Sequence, residues 1–263
     1  MARYQDLPNR IDTITVPIDD ASMCYNYGSS FTCNAISVLG KSQLNVNTSC
    51  SWTVPTGVTS IFIEAWGAGS GGTGVCQCCC CQSGMPGSSG GFVSATIPVA
   101  SGSVYVVCAG TGGGYGSACQ SGDGNPSYVT GAGLNNFCAG GGIHACSGCN
   151  VSWACFGNNQ KSQSYGYFGS TTYSNNVFVA CGEGGHYFGC NSGCGNNAKA
   201  GNAPFNGGIG TWTPYDACCP NGCRTPNGGG FPGGGGGGAP QMCECSYCAC
   251  GSCGGNGLVR IWF

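Results

Sequence analysis

Twenty-five of the 263 residues are cysteine, and thiols have the widest chemistry of any side chain here. As thiolates they bind soft metal ions, and in pairs they oxidise to disulfides. They are also clustered. Cys76 is followed by Cys78, Cys79, Cys80 and Cys81, Cys218 and Cys219 are adjacent, and a tail series holds Cys243, Cys245, Cys248, Cys250 and Cys253. In that tail Cys245-x-x-Cys248 and Cys250-x-x-Cys253 have the bite of a zinc or iron–sulfur chelate, and His144-x-Cys146-x-x-Cys149 adds a third chelating group. A zinc ribbon separates its two knuckles by about 15 to 20 residues so that a chain reversal brings them together. Here only Ala249 lies between them. Disulfides are therefore the first expectation, with Cys76, Cys78, Cys79, Cys80, Cys81, Cys218, Cys219, Cys243 and Cys245 as candidates. A structural metal at Cys245, Cys248, Cys250, Cys253, His144, Cys146 and Cys149, or free buried thiols, are the alternatives. No cofactor is expected. The odd count leaves at least one cysteine unpaired or bonded between chains.

Catalysis has little to work with. A cysteine nucleophile needs a base and an orienting carboxylate or amide, and His144 and His186 are the only histidines. Both lie in glycine-rich contexts where nothing places a thiol beside them. Asp19 and Asp20 are adjacent, so on a strand they point to opposite faces, as solvated side chains do. Gly67-x-Gly69-x-x-Gly72 follows a predicted strand, as a dinucleotide fingerprint does. No helix opens after it, and no acidic residue follows about 20 positions on. Gly40-Lys41-Ser42 lacks the earlier glycine of a phosphate loop, since position 35 is Ala35. The sequons at Asn47 and Asn150 carry little weight without a secretory signal. The expectation is a non-enzymatic protein.

The elements that must position these side chains are unusual in composition. Fifty-three glycines stand against seven basic and nine acidic residues, far fewer charges than an ordinary globular surface carries. With a net charge of −2 and a pI of about 5.5, the chain has no field to recruit phosphates, so nucleic acid is not an expected partner. The first ten residues lack the apolar core of a signal peptide, and no apolar run approaches the roughly 18 residues of a membrane span. Neither Sec export nor membrane insertion is expected. A protein made in a bacterial cytosol, packed into a particle and released by lysis would still meet oxidising conditions.

Residues 1–48 are charge-bearing and nearly free of glycine, with Arg3, Asp6, Arg10, Asp12, Asp19, Asp20 and Lys41. They read as an attachment arm or small β element, in which Ile11–Ile18 alternates like a strand. Residues 49–263 form a second unit. Thr59–Trp66 puts Ile61, Ile63 and Ala65 on one face and Phe62, Glu64 and Trp66 on the other. Phe92–Val99 and Ser103–Cys108 read as a hairpin around Ala100–Gly102, and Leu258–Phe263 as a closing strand that pairs back across the chain. Between them run glycine clusters such as Gly112–Gly114, Gly140–Gly142, Gly228–Gly230 and Gly233–Gly238. A disordered linker would not carry Phe137, Trp153, Phe156, Tyr165, Tyr167, Phe168, Phe178, Tyr187, Phe188, Trp212, Tyr215 and Phe231 among them. The ordered alternative is extended threefold helices packed side by side, each satisfying its neighbours' peptide groups, with cysteines and aromatics at rims and turns. The expected fold is mainly β: a small antiparallel β-sandwich frame clamping packed glycine-rich, polyglycine II-like segments, with almost no α-helix. Tyr165, Tyr167 and Phe168 would cap those helices or contact a surface.

The stretch Trp52–Gly72, Trp-Thr-Val-Pro-Thr-Gly-Val-Thr-Ser-Ile-Phe-Ile-Glu-Ala-Trp-Gly-Ala-Gly-Ser-Gly-Gly, resembles the opening of glycine-rich domains in bacteriophage tail-fibre and adhesin proteins. Gly257-Leu-Val-Arg-Ile261 is similar to their closing strand. The resemblance covers about residues 50–263. It implies a β frame around a sandwich of polyglycine helices, and a virion structural protein of the tail-fibre tip, adhesin or decoration type. Such a protein would be present in multiple copies, made in the host cytoplasm and exposed after lysis. Residues 1–48 would bind other virion proteins, and a host-surface glycan or protein is the expected outer partner. The high cysteine content and the N-terminal arm depart from those adhesins. They keep open a capsid or baseplate decoration role and a cysteine-rich metal-binding or redox-buffering protein.

Overall fold

A computed structural model describes residues 25–27, 30–32, 36–38, 41–76, 84–116, 121–144, 166–167, 178–188, 197–211, 227–239 and 248–263. The alternating segment Ile11–Ile18 lies outside them. The strands are β1 (Tyr25–Tyr27), β2 (Ser30–Thr32), β3 (Ile36–Val38), β4 (Lys41–Val46), β5 (Ser49–Thr53), β6 (Ser60–Trp66), β7 (Val75–Cys76), β8 (Phe92–Pro98) and β9 (Val104–Cys108). They continue with β10 (Ser127–Gly131), β11 (Leu134–Ala139), β12 (Gly166–Tyr167), β13 (Phe178–Ala180), β14 (His186–Phe188), β15 (Asn197–Lys199), β16 (Cys248–Ala249) and β17 (Leu258–Trp262). Among the described residues there is no helix.

Two sheets face each other as a sandwich. One has the order β1-β2-β5-β9-β10-β11-β12 and the other β13-β8-β6-β17-β4-β3. All their pairings are antiparallel except the single contact of β2 with β5. Alternation dictates the core. Ile61, Ile63 and Ala65 of β6 point inward with Val93, Ala95 and Ile97 of β8 and Val259 and Ile261 of β17. From the opposite sheet come Trp52, Tyr105, Val107, Val129 and Phe137. The compositional boundary at residue 48 falls between β4 and β5, one a strand of each sheet.

Pairing across the chain is as the terminal strands predict. β17 lies between β6 and β4, with Arg260 opposite Glu64 on one side and Asn45 on the other. The predicted hairpin is corrected. β8 pairs with β6 and β13, whereas β9 pairs with β5 and β10 in the other sheet. Ala100–Gly102 is therefore a corner between sheets, held where Gly102 N–H donates to Val54 O at 2.9 Å. With the two strands in different sheets, Val93, Ala95 and Ile97 of β8 join the same core as Tyr105 and Val107 of β9 from the opposite side.

Beyond the sandwich the main chain changes period. After β6, residues 67–73 donate N–H groups in three directions: Gly67, Ser70 and Thr73 to Gly91, Ser88 and Met85; Ala68 and Gly71 to Asn125 and Gly122; Gly69 and Gly72 to Gly255 and Ser252. On each face the donor rises by three while the acceptor falls by three, so these neighbours are antiparallel. Their carbonyls accept from parallel neighbours: Gly69 and Gly72 from Gly113 and Gly116, Ser70 and Thr73 from Gly236 and Ala239, with Ala68 accepting from Gly142. A strand bonds sideways in two directions and an α-helix bonds to itself. Only a threefold extended helix inside a bundle of six neighbours gives this pattern. The glycine segments are thus a hydrogen-bonded lattice, and the expectation of polyglycine II-like packing is met.

The lattice also explains its own composition. A Cβ on Gly69 would overlap the carbonyl oxygen of Gly234, and one on Gly72 that of Gly237. Where side chains do enter, they bond. The Ser70 hydroxyl accepts from Ser88 N–H at 2.8 Å and donates to Ile143 O at 3.2 Å, and the Thr73 hydroxyl accepts from Met85 N–H at 2.6 Å. No buried side-chain nitrogen or oxygen among the described residues lacks a partner.

Candidate functional site

The outer face of the six-stranded sheet carries an ordered set of polar and aromatic side chains. It follows from alternation in β6 and β17, whose second faces are Phe62, Glu64, Trp66 and Leu258, Arg260, Trp262. Arg260 is the centre. Its guanidinium lies 5.4 Å from the Trp66 ring centroid and 5.9 Å from that of Trp262, and Nη1 is 3.5 Å from Glu64 Oε2. Its Nε donates to Asn45 Oδ1 at 3.0 Å, where Gln43 Nε2 also donates at 2.9 Å. Trp262 Nε1 donates to the same Glu64 oxygen at 3.0 Å. The Glu64 carboxylate is therefore committed to two donors, which suits a fixed surface better than proton transfer.

An aromatic ledge adjoins it. Trp66 packs on Phe92 at 4.8 Å, Phe92 on Phe205 at 4.8 Å, and Phe205 edge-on to Phe178 at 4.8 Å. Phe178 and Phe205 remain 47% and 52% exposed. Phe205 sits on a tight turn with φ of 50°, followed by Asn206 at 57°, a left-handed backbone that bulky side chains rarely adopt. Trp66 Nε1 fixes that turn by donating to Pro204 O at 2.9 Å. The ledge escaped the sequence reading because Phe178 and Phe205 are 27 positions apart in glycine-rich surroundings. The available signal was Pro204-Phe-Asn-Gly207, a turn sequence that must expose its aromatic.

Cys250 and Cys253 are free thiols, Cys253 exposed. They lie on the segment whose N–H groups at 251, 254 and 257 donate to Gly116, Gly113 and Gly110. On such a threefold segment positions three apart share a face but stand about 9 Å apart along the axis. A tetrahedral zinc site needs four ligands at about 2.3 Å from one ion, which a turn, rather than this geometry, provides. Among the described residues no three His, Cys, Asp or Glu side chains come together as a metal requires. Cys76 and Cys248 are register partners in the β7–β16 ladder. Cys78, Cys79, Cys80, Cys81, Cys146, Cys149, Cys218, Cys219, Cys243 and Cys245 lie outside the described residues, as do Tyr165 and Phe168. Tyr167 is placed in β12 opposite Cys138.

His144 pairs with an aspartate. Asp123 Oδ1 lies 2.6 Å from His144 Nδ1 and accepts from the His144 backbone N–H at the same distance. The sequence reading missed this partner, 21 positions away across a glycine turn.

Cysteine also enters the β frame itself, beyond the expected rims. Cys50 is buried in β5 and disulfide-bonded, although it was not among the candidates. Cys108 and Cys138 are free thiols flanking Tyr128 on the outer face of the seven-stranded sheet. The Ser49 hydroxyl and the Cys108 sulfur are 2.9 Å apart. A hydrogen bond with Cys108, that thiol's charge and partial burial push the Tyr128 phenol above its ordinary 10.0. Burial raises the Cys138 thiol above 9.0, which keeps it protonated and a poor nucleophile.

A model of the glycine-rich domain family matches residues 44–263. No curated protein matches the chain.

Proposed function

We propose, for a chain that belongs to the glycine-rich domain family through residues 44–263, that it is a non-enzymatic structural module displayed on a virion appendage. In this reading the N-terminal residues attach it to the particle, and its outer surface meets the host. The observation that carries the proposal is the core made of main chain. Peptide groups bonded in three directions over segments 67–73, 84–91, 110–116, 233–239 and 251–257 give a body held together by main-chain hydrogen bonds more than by side-chain packing. Side chains at its turns are then free to serve as contacts. The Arg260–Trp262 face, backed by buried Trp66, and the exposed Phe178–Phe205 ledge are the described surfaces best suited to contact, being aromatic and held in place. The resemblance of Trp52–Gly72 and Gly257–Ile261 to tail-fibre and adhesin domains supplies the virion setting.

The test is location. Antibody labelling of purified particles and of infected-cell lysate is expected to mark an appendage. Label in the lysate but never on particles would overturn the proposal. Elemental analysis separates the competing thiol-store reading, which requires several tightly bound zinc or iron ions per chain.

A further inference from the structure

We propose that Cys76 and Cys248 form a cross-strand disulfide in the β7–β16 ladder, which continues the register of the glycine lattice away from the sandwich. The argument rests on register. In the sheet, Leu258 of β17 is the partner of Trp66 of β6. The chains then leave the sheet together: Gly69 N–H donates to Gly255 O, and Gly72 N–H to Ser252 O. They meet again as strands, Val75 opposite Ala249 and Cys76 opposite Cys248. From Trp66–Leu258 to Cys76–Cys248 both sides advance ten residues, with none inserted or skipped. The change from strand to threefold helix and back leaves the register intact because the rises per residue, about 3.3 and 3.1 Å, are nearly equal. The Cys76–Cys248 pairing is therefore dictated by the whole ladder behind it.

Directly opposed residues of an antiparallel pair have Cα atoms about 4.5 to 5.5 Å apart and side chains on one face. Disulfides span Cα separations of about 4.4 to 6.8 Å. A ladder of two residues a side is not stable alone, so a covalent bond at this pair would hold β7 against β16. The chemistry is thiol–disulfide exchange with a small-molecule disulfide such as oxidised glutathione. One thiolate attacks it and expels a glutathione thiolate. The second thiolate then attacks the mixed disulfide, forming the S–S bond and expelling the other. The protein loses two electrons and two protons, and the oxidant becomes two thiols. Cys248 is thereby withdrawn from any Cys245-x-x-Cys248 chelate. The inference is independent of whether the module sits on a particle.

The test starts with the wild-type chain equilibrated with oxidised glutathione, alkylated without reduction, digested and mapped by mass spectrometry. A linked pair of peptides carrying Cys76 and Cys248 is expected, with neither residue alkylated. The variants Cys76→Ser and Cys248→Ser should each expose the other member of the pair, and only that thiol, to alkylation. Each should lower Tm by several degrees, and the double variant should lower it no further than either single one. Alkylation of Cys76 or Cys248 in the unreduced wild type, or a bond from either to another cysteine, would overturn the proposal. The mapping needs no variant to fold.

Discussion

At the scale of a residue, a core made of main chain is tested by adding one methyl group. Gly69→Ala would drive a Cβ into the Gly234 carbonyl inside the lattice, where neither backbone can move without breaking bonds to other neighbours. Overpacking a well-filled core costs about 1 to 3 kcal/mol, occasionally more, and a clash with backbone belongs at the upper end. Gly114→Ala is the control, since its Cβ would meet nothing within 4 Å. It should be neutral or stabilise by about 0.4 to 1 kcal/mol through the unfolded chain. Urea midpoints of the two variants check the contrast, and equal midpoints would contradict a lattice of this density. Cys138 gives a second residue-scale expectation. Its thiol and the Tyr128 phenol are both held above their ordinary values, so the folded state keeps these protons more tightly than the unfolded chain does. Their contribution to stability is complete below the unfolded values and is lost as pH rises through the folded ones. Stability should therefore decline from about pH 9 upward, and less steeply in Cys138→Ser. At fixed pH Cys138 should alkylate more slowly than exposed Cys253.

At the scale of an element, β17 carries the most. It is bonded on both sides, to β6 and β4, and places Val259 and Ile261 in the core. A chain ending at Gly257 should lose the cooperative β signal in circular dichroism, whereas Phe62→Ala, on the half-exposed outer face, should leave it intact. β6 and β17 were legible as strands because apolar and polar residues alternate along them, and the inner face of β6 came out as predicted. β8 and β9 were legible as strands but not as partners, because alternation fixes a face and says nothing of which sheet receives it. β10 and β11 were passed over inside the glycine region. Ser127–Ala139 holds its buried Val129, Leu134 and Phe137 around Gly131-Ala-Gly133, with a bulge after Val129, and that breaks the period of two. The Arg260 network was readable only as three outward positions on each strand. Its closure needs Asn45, which reaches Arg260 from β4 across 215 positions of sequence.

At the scale of the whole molecule, sandwich and lattice are one ladder in two conformations. The β6–β17 pair runs without a slip into 67–73 beside 251–257, so the sheet's register fixes which glycine meets which carbonyl. Local composition could not reveal this, since any glycine in a run can satisfy any neighbour. The alternating strands at both ends set the phase. Cooperative opening should respect that continuity, because amides bonded in three directions cannot be released by peeling one edge. Hydrogen exchange is therefore expected to protect the amides of Gly69, Gly71 and Gly72 as strongly as those of Ile61, Ile63 and Ala65 in β6. Gly114, on the lattice surface, should exchange faster. If the lattice were merely draped on a finished sandwich, residues 67–73 would exchange orders of magnitude faster than β6, and Gly69→Ala would leave the sandwich's own protection unchanged. In the continuous ladder, that substitution instead weakens protection in β6 and β17 together.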